Sequence, residues 1–212
     1  MNKFRFPGIL LLAALLAPPL QGCIEMAVVG AGAAALSAAD RRTTGTQIED
    51  ERIELVASIR FGERFADKAH INITSFNRNV LLTGEVPDDK VKSEAEKIVR
   101  GLPNVRGVTG DLQVAGVSSF TARAGDAGIT GKVKARFVDA GKFNAVHVKV
   151  VTEASVVYLL GIVTETEAND AVEIARTTGG VRKVVKVFDY CKSTDPACAP
   201  RDKPKAEEPK KK

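Results

Sequence analysis

The sequence has no tryptophan, two histidines and three cysteines among its 212 residues, and aromatic residues make up only 5% of it. Hydrophobic residues nevertheless make up 44%, which is typical of a globular chain with few large rings. The sequence shows no Ser/His/Asp or Cys/His arrangement, no glycine-rich phosphate loop and no metal-ligand spacing. These absences argue against an enzyme, and we expect neither a cofactor nor a metal ion.

Residues 1–22 have the organisation of a lipoprotein signal peptide. Lys3 and Arg5 precede the apolar run GILLLAALLAPPL, which is too short to span a bilayer as a stable helix. The run ends in Leu-Gln-Gly-Cys at residues 20–23, which resembles a bacterial lipobox. An exported protein is therefore expected.

Cys23 is the predicted site of lipidation, because the lipobox resemblance implies a cysteine that is acylated, with palmitate-type chains, before it becomes the new N-terminus. Ile24, rather than aspartate, follows it, which by the sorting rule for such lipoproteins implies the periplasmic face of the outer membrane. Each buried methylene contributes about 0.8 kcal/mol, so several acyl chains hold the protein at the membrane. A nucleic-acid partner is not expected after export, and no aromatic residues interleave with the basic ones.

The two ends of the mature chain differ from its middle in composition. The net charge is +5, and much of the excess lies at the ends, which weakly favours anionic partners. Residues 23–46 are predicted to form a lipidated tether, and residues 192–212 a disordered basic tail. Cys191 and Cys198 are predicted to pair in an oxidising compartment, since Asp-Pro supplies a turn between them. A metal site is the alternative there, although no histidine is near.

The middle of the chain contains one pattern twice. LLTGEV at residues 81–86 is echoed by YLLGIV at residues 158–163, and the two glycines are 77 positions apart. Each copy opens with an amphipathic helix, whose apolar residues at helical spacing are Ile53, Ala57 and Phe61 or Ile129, Val133 and Phe137. Two strands, a second helix and a third strand follow, so the pattern is α-β-β-α-β in both copies.

This order of elements resembles the BON domain, a small periplasmic module. The marks are VLLTGEV and VYLLGIV, each followed by a helix and then by Val-Arg-x-Val. The resemblance implies an α+β fold with two tandem domains at residues 47–115 and 127–191, joined by a linker at residues 116–126. Each domain would be a three-stranded sheet with two helices on one face. Dual-BON lipoproteins imply a non-enzymatic protein that binds anionic phospholipid and supports cell envelope integrity, including at cell-division sites.

Gly84 and Gly161 are predicted to be structural, because a glycine inside a strand marks a close approach by another element. The expected neighbour is the crossing helix of the same copy. His70 and His147 occupy equivalent positions just before the first strand of each copy, which also indicates a structural role.

The sheet of the second domain is predicted to have two apolar faces. The residues of its second face are Val156, Tyr158, Leu160, Ile162, Val185 and Val187, and the first domain offers Phe76 and Leu81 on the corresponding face. An uncovered patch of that extent is unusual in a soluble monomer, so we expect the two sheets to dock. Self-association or an envelope protein is the alternative cover, and lipid is disfavoured because cations are sparse there.

The predicted lipid site is the first helix of the second domain. With its apolar residues turned inward, the cations on or beside the outer face are Lys132, Lys134 and Arg136. The counterpart helix instead opens with the acidic residues Glu49, Asp50, Glu51 and Glu54. In the family the lipid contact lies on this helix. Gly128 stands where an aromatic anchor would be useful, and Phe120, just upstream, is the candidate substitute. A solvated helix face is the alternative.

Two functions are therefore expected from the sequence. The first is binding of an anionic phospholipid membrane through the leading helix of the second domain. The alternative is a protein-interaction scaffold that engages an envelope or cell-division partner through the apolar sheet face of the second domain.

Overall fold

The computed structural model describes residues 39–195 and Cys198. The predicted signal peptide, Cys23 and most of the predicted tether lie outside the described residues, as does the predicted tail from residue 199 onward.

The described chain forms two copies of one α-β-β-α-β unit, as the sequence predicted. Domain 1 consists of α1 (Thr44–Phe65), β1 (His70–Phe76), β2 (Asn79–Val86), α2 (Asp89–Arg100) and β3 (Gly107–Val114). Domain 2 consists of α3 (Phe120–Ala140), β4 (Val148–Glu153), β5 (Val156–Val163), α4 (Glu165–Arg176) and β6 (Lys183–Tyr190). In each sheet the second strand is central, antiparallel to the first and parallel to the third. The expected α+β class is confirmed.

The helices begin at side chains that cap their first turns. Thr164 and Glu167 form a capping box at the start of α4. Ser119 accepts a hydrogen bond from the N–H of Ala122, so α3 begins at Phe120. The predicted linker at residues 116–126 was therefore wrong, because its second half is already helical.

Each domain has its own core between its sheet and its two helices. In domain 1 the inward alternation of β2 supplies Val80, Leu82 and Val86, all fully buried. In domain 2 the equivalent residues are Val157, Leu159 and Val163, packed against Val133 and Phe137 of α3. The cores are mainly aliphatic, as the scarcity of aromatic residues requires.

A buried aspartate on the leading helix holds the hairpin turn of each domain. Both turns have two residues at positive φ, namely Asn77 and Arg78 (52° and 65°) in domain 1, and Ala154 and Ser155 (47° and 62°) in domain 2. Asp126 accepts the N–H groups of Ala154 at 2.9 Å and Ser155 at 2.8 Å.

Asp50 plays the same part in domain 1. It accepts the N–H groups of Asn77 at 2.8 Å and Arg78 at 2.7 Å, together with the hydroxyl of Ser75. Asp50 is one of the acidic residues near the start of α1, but it is only 2% exposed and therefore does not contribute to an acidic outer surface.

The two strand glycines are required by the backbone at or just before the start of the neighbouring strand. A Cβ on Gly84 would lie 2.0 Å from the carbonyl oxygen of His70, and Gly84 has a φ of +113°. A Cβ on Gly161 would lie 2.4 Å from the carbonyl oxygen of His147. The structural role is as expected, but the crossing helix is not the obstacle, so that part of the prediction was wrong.

The second faces of the two sheets pack against each other within the chain. Phe76 and Leu81 of domain 1 form a buried cluster with Tyr158 and Leu160 of domain 2. Further hydrophobic residues around this cluster are Val151, Val156, Ile162, Val185 and Val187. The docking residues inferred from the sequence are thus brought together, and the apolar face of domain 2 is covered by domain 1.

Polar contacts surround this docking cluster. The Tyr158 hydroxyl donates to Asp111 at 2.8 Å, and burial together with this bond raises the pKa of Tyr158. Asp189 accepts from the side-chain amides of Asn77 at 2.6 Å and Asn79 at 3.0 Å. These bonds satisfy polar groups that docking removes from water.

Two arginines that precede α1 connect the domains, because Arg41 binds domain 2 and Arg42 binds domain 1. Arg41 makes a bidentate pair with Glu167 of domain 2, at 2.7 and 2.9 Å, and also donates to the carbonyl of Ile162 at 2.8 Å. Burial alone would raise the pKa of Glu167, but the bonds from Arg41 and Thr164 lower it to about 2.

Arg42 holds the domain 1 end of the same segment. It pairs with Asp50 at 2.9 Å and lies over the ring of Phe76. Residues 40–46 were predicted to belong to a tether, which was wrong, since they are part of the folded unit.

The end of domain 2 is closed by a covalent bond. Cys191 and Cys198 form a disulfide, with their Cα atoms 6.2 Å apart. The Cys198 carbonyl accepts from Arg41 at 3.5 Å, so the disulfide loop lies beside the arginine that precedes α1.

Replacing Asp126 with alanine should destabilise domain 2, because two N–H groups of the hairpin turn would lose a charged acceptor. We expect Asp126→Ala to lower the free energy of unfolding in urea by about 2 to 4 kcal/mol. Asp139→Ala is the matched control, since Asp139 is exposed on the same helix, and should change it by less than about 0.5 kcal/mol. Equal effects of the two variants would contradict the role given to Asp126.

Placing a charge in the docking cluster should separate the domains without unfolding them. Leu160 is 1% exposed but contacts the docking cluster rather than either domain core, so Leu160→Glu should increase the radius of gyration in small-angle scattering while circular dichroism is retained. Val114→Glu, at an exposed strand position, is the control and should leave the scattering unchanged. Unchanged scattering of Leu160→Glu would show that this cluster does not hold the domains together.

Candidate functional site

The inner side of α3 is apolar, as the sequence predicted. Ile129, Val133 and Phe137 are buried against the sheet and α4. Asp126 lies on the same side of the helix and accepts hydrogen bonds from the hairpin turn. Because the sheets dock through their opposite faces, the outer side of α3 is left exposed to solvent.

The outer side of α3 is made of small and apolar residues. Six residues that are spaced three or four apart along the helix are all exposed. We call them the outer stripe: Phe120, Ala124, Gly128, Gly131, Ala135 and Val138. Phe120 is 79% exposed and Val138 68%. A Cβ added at Gly128 or Gly131 would meet nothing within 4 Å. The helix is therefore apolar on both sides, although the sequence analysis expected a basic outer face.

Lys132 and Lys134 lie on either side of the outer stripe. Both are exposed, and neither forms an ion pair with any residue that the structure describes. Helical spacing places them on opposite flanks of the stripe, since adjacent residues on a helix are rotated by about 100° and these two are separated by about 200°. The stripe is thus bordered by two free positive charges.

Arg136 has a different role from the one predicted. It is half-buried and donates to the Ile174 carbonyl at 2.7 Å and to the Thr178 hydroxyl at 2.8 Å. These bonds attach α3 to the end of α4. Arg136 therefore packs α3 against α4 instead of serving the lipid site as predicted. Sequence spacing could not distinguish these two roles.

The equivalent surface of α1 also carries exposed apolar residues, which the sequence analysis missed. Ile48, Leu55 and Ile59 lie at helical spacing and are all exposed. The charges beside them differ from those on α3, because Glu49 and Glu51 lie near Ile48 and α1 contains no lysine. Hydrogen bonds from Arg52 and Asn104 hold the pKa of Glu49 at about 2, so it remains an anion.

A groove of about 920 Å³ lies between α1 and α2 of domain 1. Its lining is strongly charged: Arg60, Arg64, Asp89, Lys90, Glu94 and Lys97. Arg64 is paired with Glu94 across the groove. The lining contains no histidine or cysteine and therefore no arrangement typical of nucleophilic catalysis. Within residues 39–195, no helix has both the length and the apolar character that crossing a bilayer requires.

Comparisons with known proteins agree with this architecture. The BON domain family model matches residues 54–116 and 125–192. The outer membrane lipoprotein DolP of Haemophilus influenzae is 39% identical over 173 residues, which cover 81% of this chain and 90% of that protein.

Two other relatives match less of the chain. The 21 kDa hemolysin of Actinobacillus pleuropneumoniae is 29% identical over 71% of this chain and 79% of its own length. The osmotically-inducible protein Y of Escherichia coli is 32% identical over 54% of this chain and 58% of its own length. Two family matches, each on one α-β-β-α-β unit, and the similarity to DolP across most of both chains lead to one conclusion. The chain belongs to the BON-domain family, as a DolP-like protein with two BON domains.

Proposed function

We propose that this protein is an outer-membrane lipoprotein of the cell envelope that binds anionic phospholipid through the outer stripe of α3. The lipobox at Cys23 and the similarity to an outer membrane lipoprotein support the location at the periplasmic face. The observation that carries the lipid proposal is an exposed apolar helix face bordered by Lys132 and Lys134. Support of envelope integrity and a role in cell division follow from the family and belong to the same proposal.

The physical basis of binding is partial insertion of α3 at the lipid headgroups. A helix that lies in the membrane interface buries its apolar side among the acyl chains and keeps its cations at the level of the phosphates. Phe120 and Val138 mark the two ends of the outer stripe and supply its largest exposed apolar groups. The small residues between them let the helix axis approach the bilayer closely.

Selectivity for anionic lipid would come from the two lysines. Each lysine near an anionic surface contributes about 1 kcal/mol, and this contribution weakens as salt screens the charges. The acyl chains predicted on Cys23 already attach the protein to the membrane. The contact made by α3 therefore serves to orient the domains and to select lipid composition.

The scaffold alternative depended on an exposed apolar sheet face in domain 2. In the structure that face is covered by domain 1, and Tyr158 and Leu160 are only 2% and 1% exposed. A partner could reach these residues only after the domains separate. The structure therefore favours the lipid proposal over the scaffold.

Reversing the lysine charges should abolish selective binding to anionic vesicles. For a chain that begins at Ile24, and thus has no acyl anchor, we expect Lys132→Glu/Lys134→Glu to reduce vesicle binding at least about 10-fold, because about 2 kcal/mol of attraction is lost. Co-sedimentation with vesicles that contain or lack phosphatidylglycerol measures this.

The matched control for that experiment is Lys90→Glu/Lys97→Glu in α2, which makes the same change of net charge at exposed positions of domain 1. We expect this control to retain most of the binding. If both double variants lose binding equally, attraction is set by net charge alone and the site on α3 is wrong. Binding of the parent that does not depend on anionic lipid would also contradict the proposal.

An aromatic residue at position 128 should strengthen the contact. Gly128 has open space around it, so Gly128→Trp should fold normally and place an indole at the membrane interface. We expect tighter vesicle binding with weaker dependence on salt, measured by the same co-sedimentation at low and high salt. Gly62→Trp, at an exposed glycine of α1 that also has open space, is the control and should not increase binding.

A further inference from the structure

Three side chains that can bind a metal ion converge where the two domains meet. His70 on β1 and Glu85 on β2 belong to domain 1, and Glu153 at the end of β4 belongs to domain 2. One ligand atom from each lies within 4.8 Å of the other two. His70 and Glu85 are directly opposite each other in the strand pairing, with His70 Nδ1 3.1 Å from Glu85 Oε2.

The two carboxylates are buried without a permanent cation. Glu85 is 8% exposed and Glu153 6%, and among the described residues neither pairs with a lysine or an arginine. Glu153 accepts from the amide of Asn72 at 2.6 Å, and Glu85 accepts from the N–H of Ser118 at 3.2 Å. These donors are neutral, as is the Thr83 hydroxyl that donates to Glu153 at 3.4 Å, so the two carboxylates lie close together with the His70 imidazole beside them. Buried charges of one sign are costly unless a cation or proton compensates them.

A second observation comes from the loop that leads into α3. The hydroxyl oxygen of Ser118 is buried and has no hydrogen-bond partner, although the backbone N–H of the same residue donates to Glu85. Buried polar atoms in native structures nearly always have a partner. An unpartnered oxygen beside a buried carboxylate is consistent with a ligand, or a ligand-bound water, at this position.

The cluster also opens onto a cavity. A cavity of about 390 Å³ between the domains is lined by His70, Asn72, Arg123, Asp126, Thr130 and Glu153, among others, and Arg123 donates to the Ser118 carbonyl rather than to either glutamate. It provides a path for an ion and room for waters that complete its coordination.

The donor set indicates the class of ion. One imidazole nitrogen and two carboxylates are typical ligands of zinc, which in open sites takes three protein ligands and a water. Calcium and magnesium prefer oxygen ligands alone. A divalent ion would neutralise the two carboxylates, leaving a site without net charge when His70 is neutral.

We propose that His70, Glu85 and Glu153 bind one divalent cation of the zinc class, and that this ion fastens domain 1 to domain 2. The ion would bridge strands of the two docked sheets at the polar end of an interface whose other end is apolar. Docking would then depend on metal supply in the compartment. This inference is independent of lipid binding, since none of its residues lies on the outer stripe of α3.

The pseudo-equivalent histidine provides an internal comparison. His147 lies at the same position in domain 2, with its Nδ1 3.6 Å from Glu167 Oε1. Glu167 is already bound by Arg41, so a cation occupies that place permanently. No metal ion is therefore expected at His147, although it also lies beside a carboxylate.

The test is zinc binding by the full chain in detergent, after removal of metal with a chelator and dialysis. Titration calorimetry with zinc chloride should show about one ion per chain, and zinc should raise the thermal unfolding temperature. Loss of a residue that only hydrogen-bonds to a metal ligand weakens metal binding roughly 10-fold to 100-fold. Loss of a ligand itself should have a larger effect on zinc affinity, and this is expected for each of three variants: His70→Gln, Glu85→Gln and Glu153→Gln. His147→Gln is the matched control and should bind zinc as the parent does.

Several results would overturn the proposal. They are a metal-free parent that takes up no zinc, zinc affinity unchanged in all three ligand variants, or equal stabilisation by calcium and zinc. Cobalt provides a readout of the site itself, because its visible absorption reports histidine and carboxylate coordination and should be lost in His70→Gln. If Glu153→Gln fails to fold by circular dichroism, the two variants in domain 1 decide the outcome.

Discussion

The structure depends on covering the second apolar face of the domain 2 sheet. Tyr158 and Leu160 project from the central strand on the side away from the helices, where water would otherwise meet them. Domain 1 supplies Phe76 and Leu81 as the cover. Because docking uses the sheet faces opposite the helices, both leading helices remain exposed. The same docking brings Glu153 of domain 2 against His70 and Glu85 of domain 1.

The two domains share one framework but present different surfaces. Asp50 and Asp126 hold their hairpin turns in the same way, and in each sheet a glycine lies against the carbonyl of a histidine at or just before the start of the neighbouring strand. The differences lie in what each copy exposes. Domain 1 offers a partly polar sheet face and an acidic leading helix, whereas domain 2 offers an apolar sheet face and a helix with free lysines. Both copies take part in docking, whereas the proposed membrane contact belongs to domain 2 alone.

The segment before α1 joins the N-terminal side of the chain to both domains. Arg41 is buried with Glu167 of domain 2, and Arg42 is held by Asp50 and Phe76 of domain 1. Removing either arginine would be strongly destabilising, because it would leave a largely buried carboxylate without its partner. Residues 40–46 therefore belong to the folded unit.

Although it left open what covers the second face of the domain 2 sheet, the sequence by itself determined the repeated topology, the inward residues of each element and the apolar character of that face. These follow from periodicity, which is a property of neighbouring residues. Only the tertiary structure decided that Arg136 binds the end of α4 and that the His70 carbonyl excludes a side chain at Gly84. It also decided that Glu153 meets His70. Contacts between distant residues depend on how finished elements pack together, which no local pattern encodes.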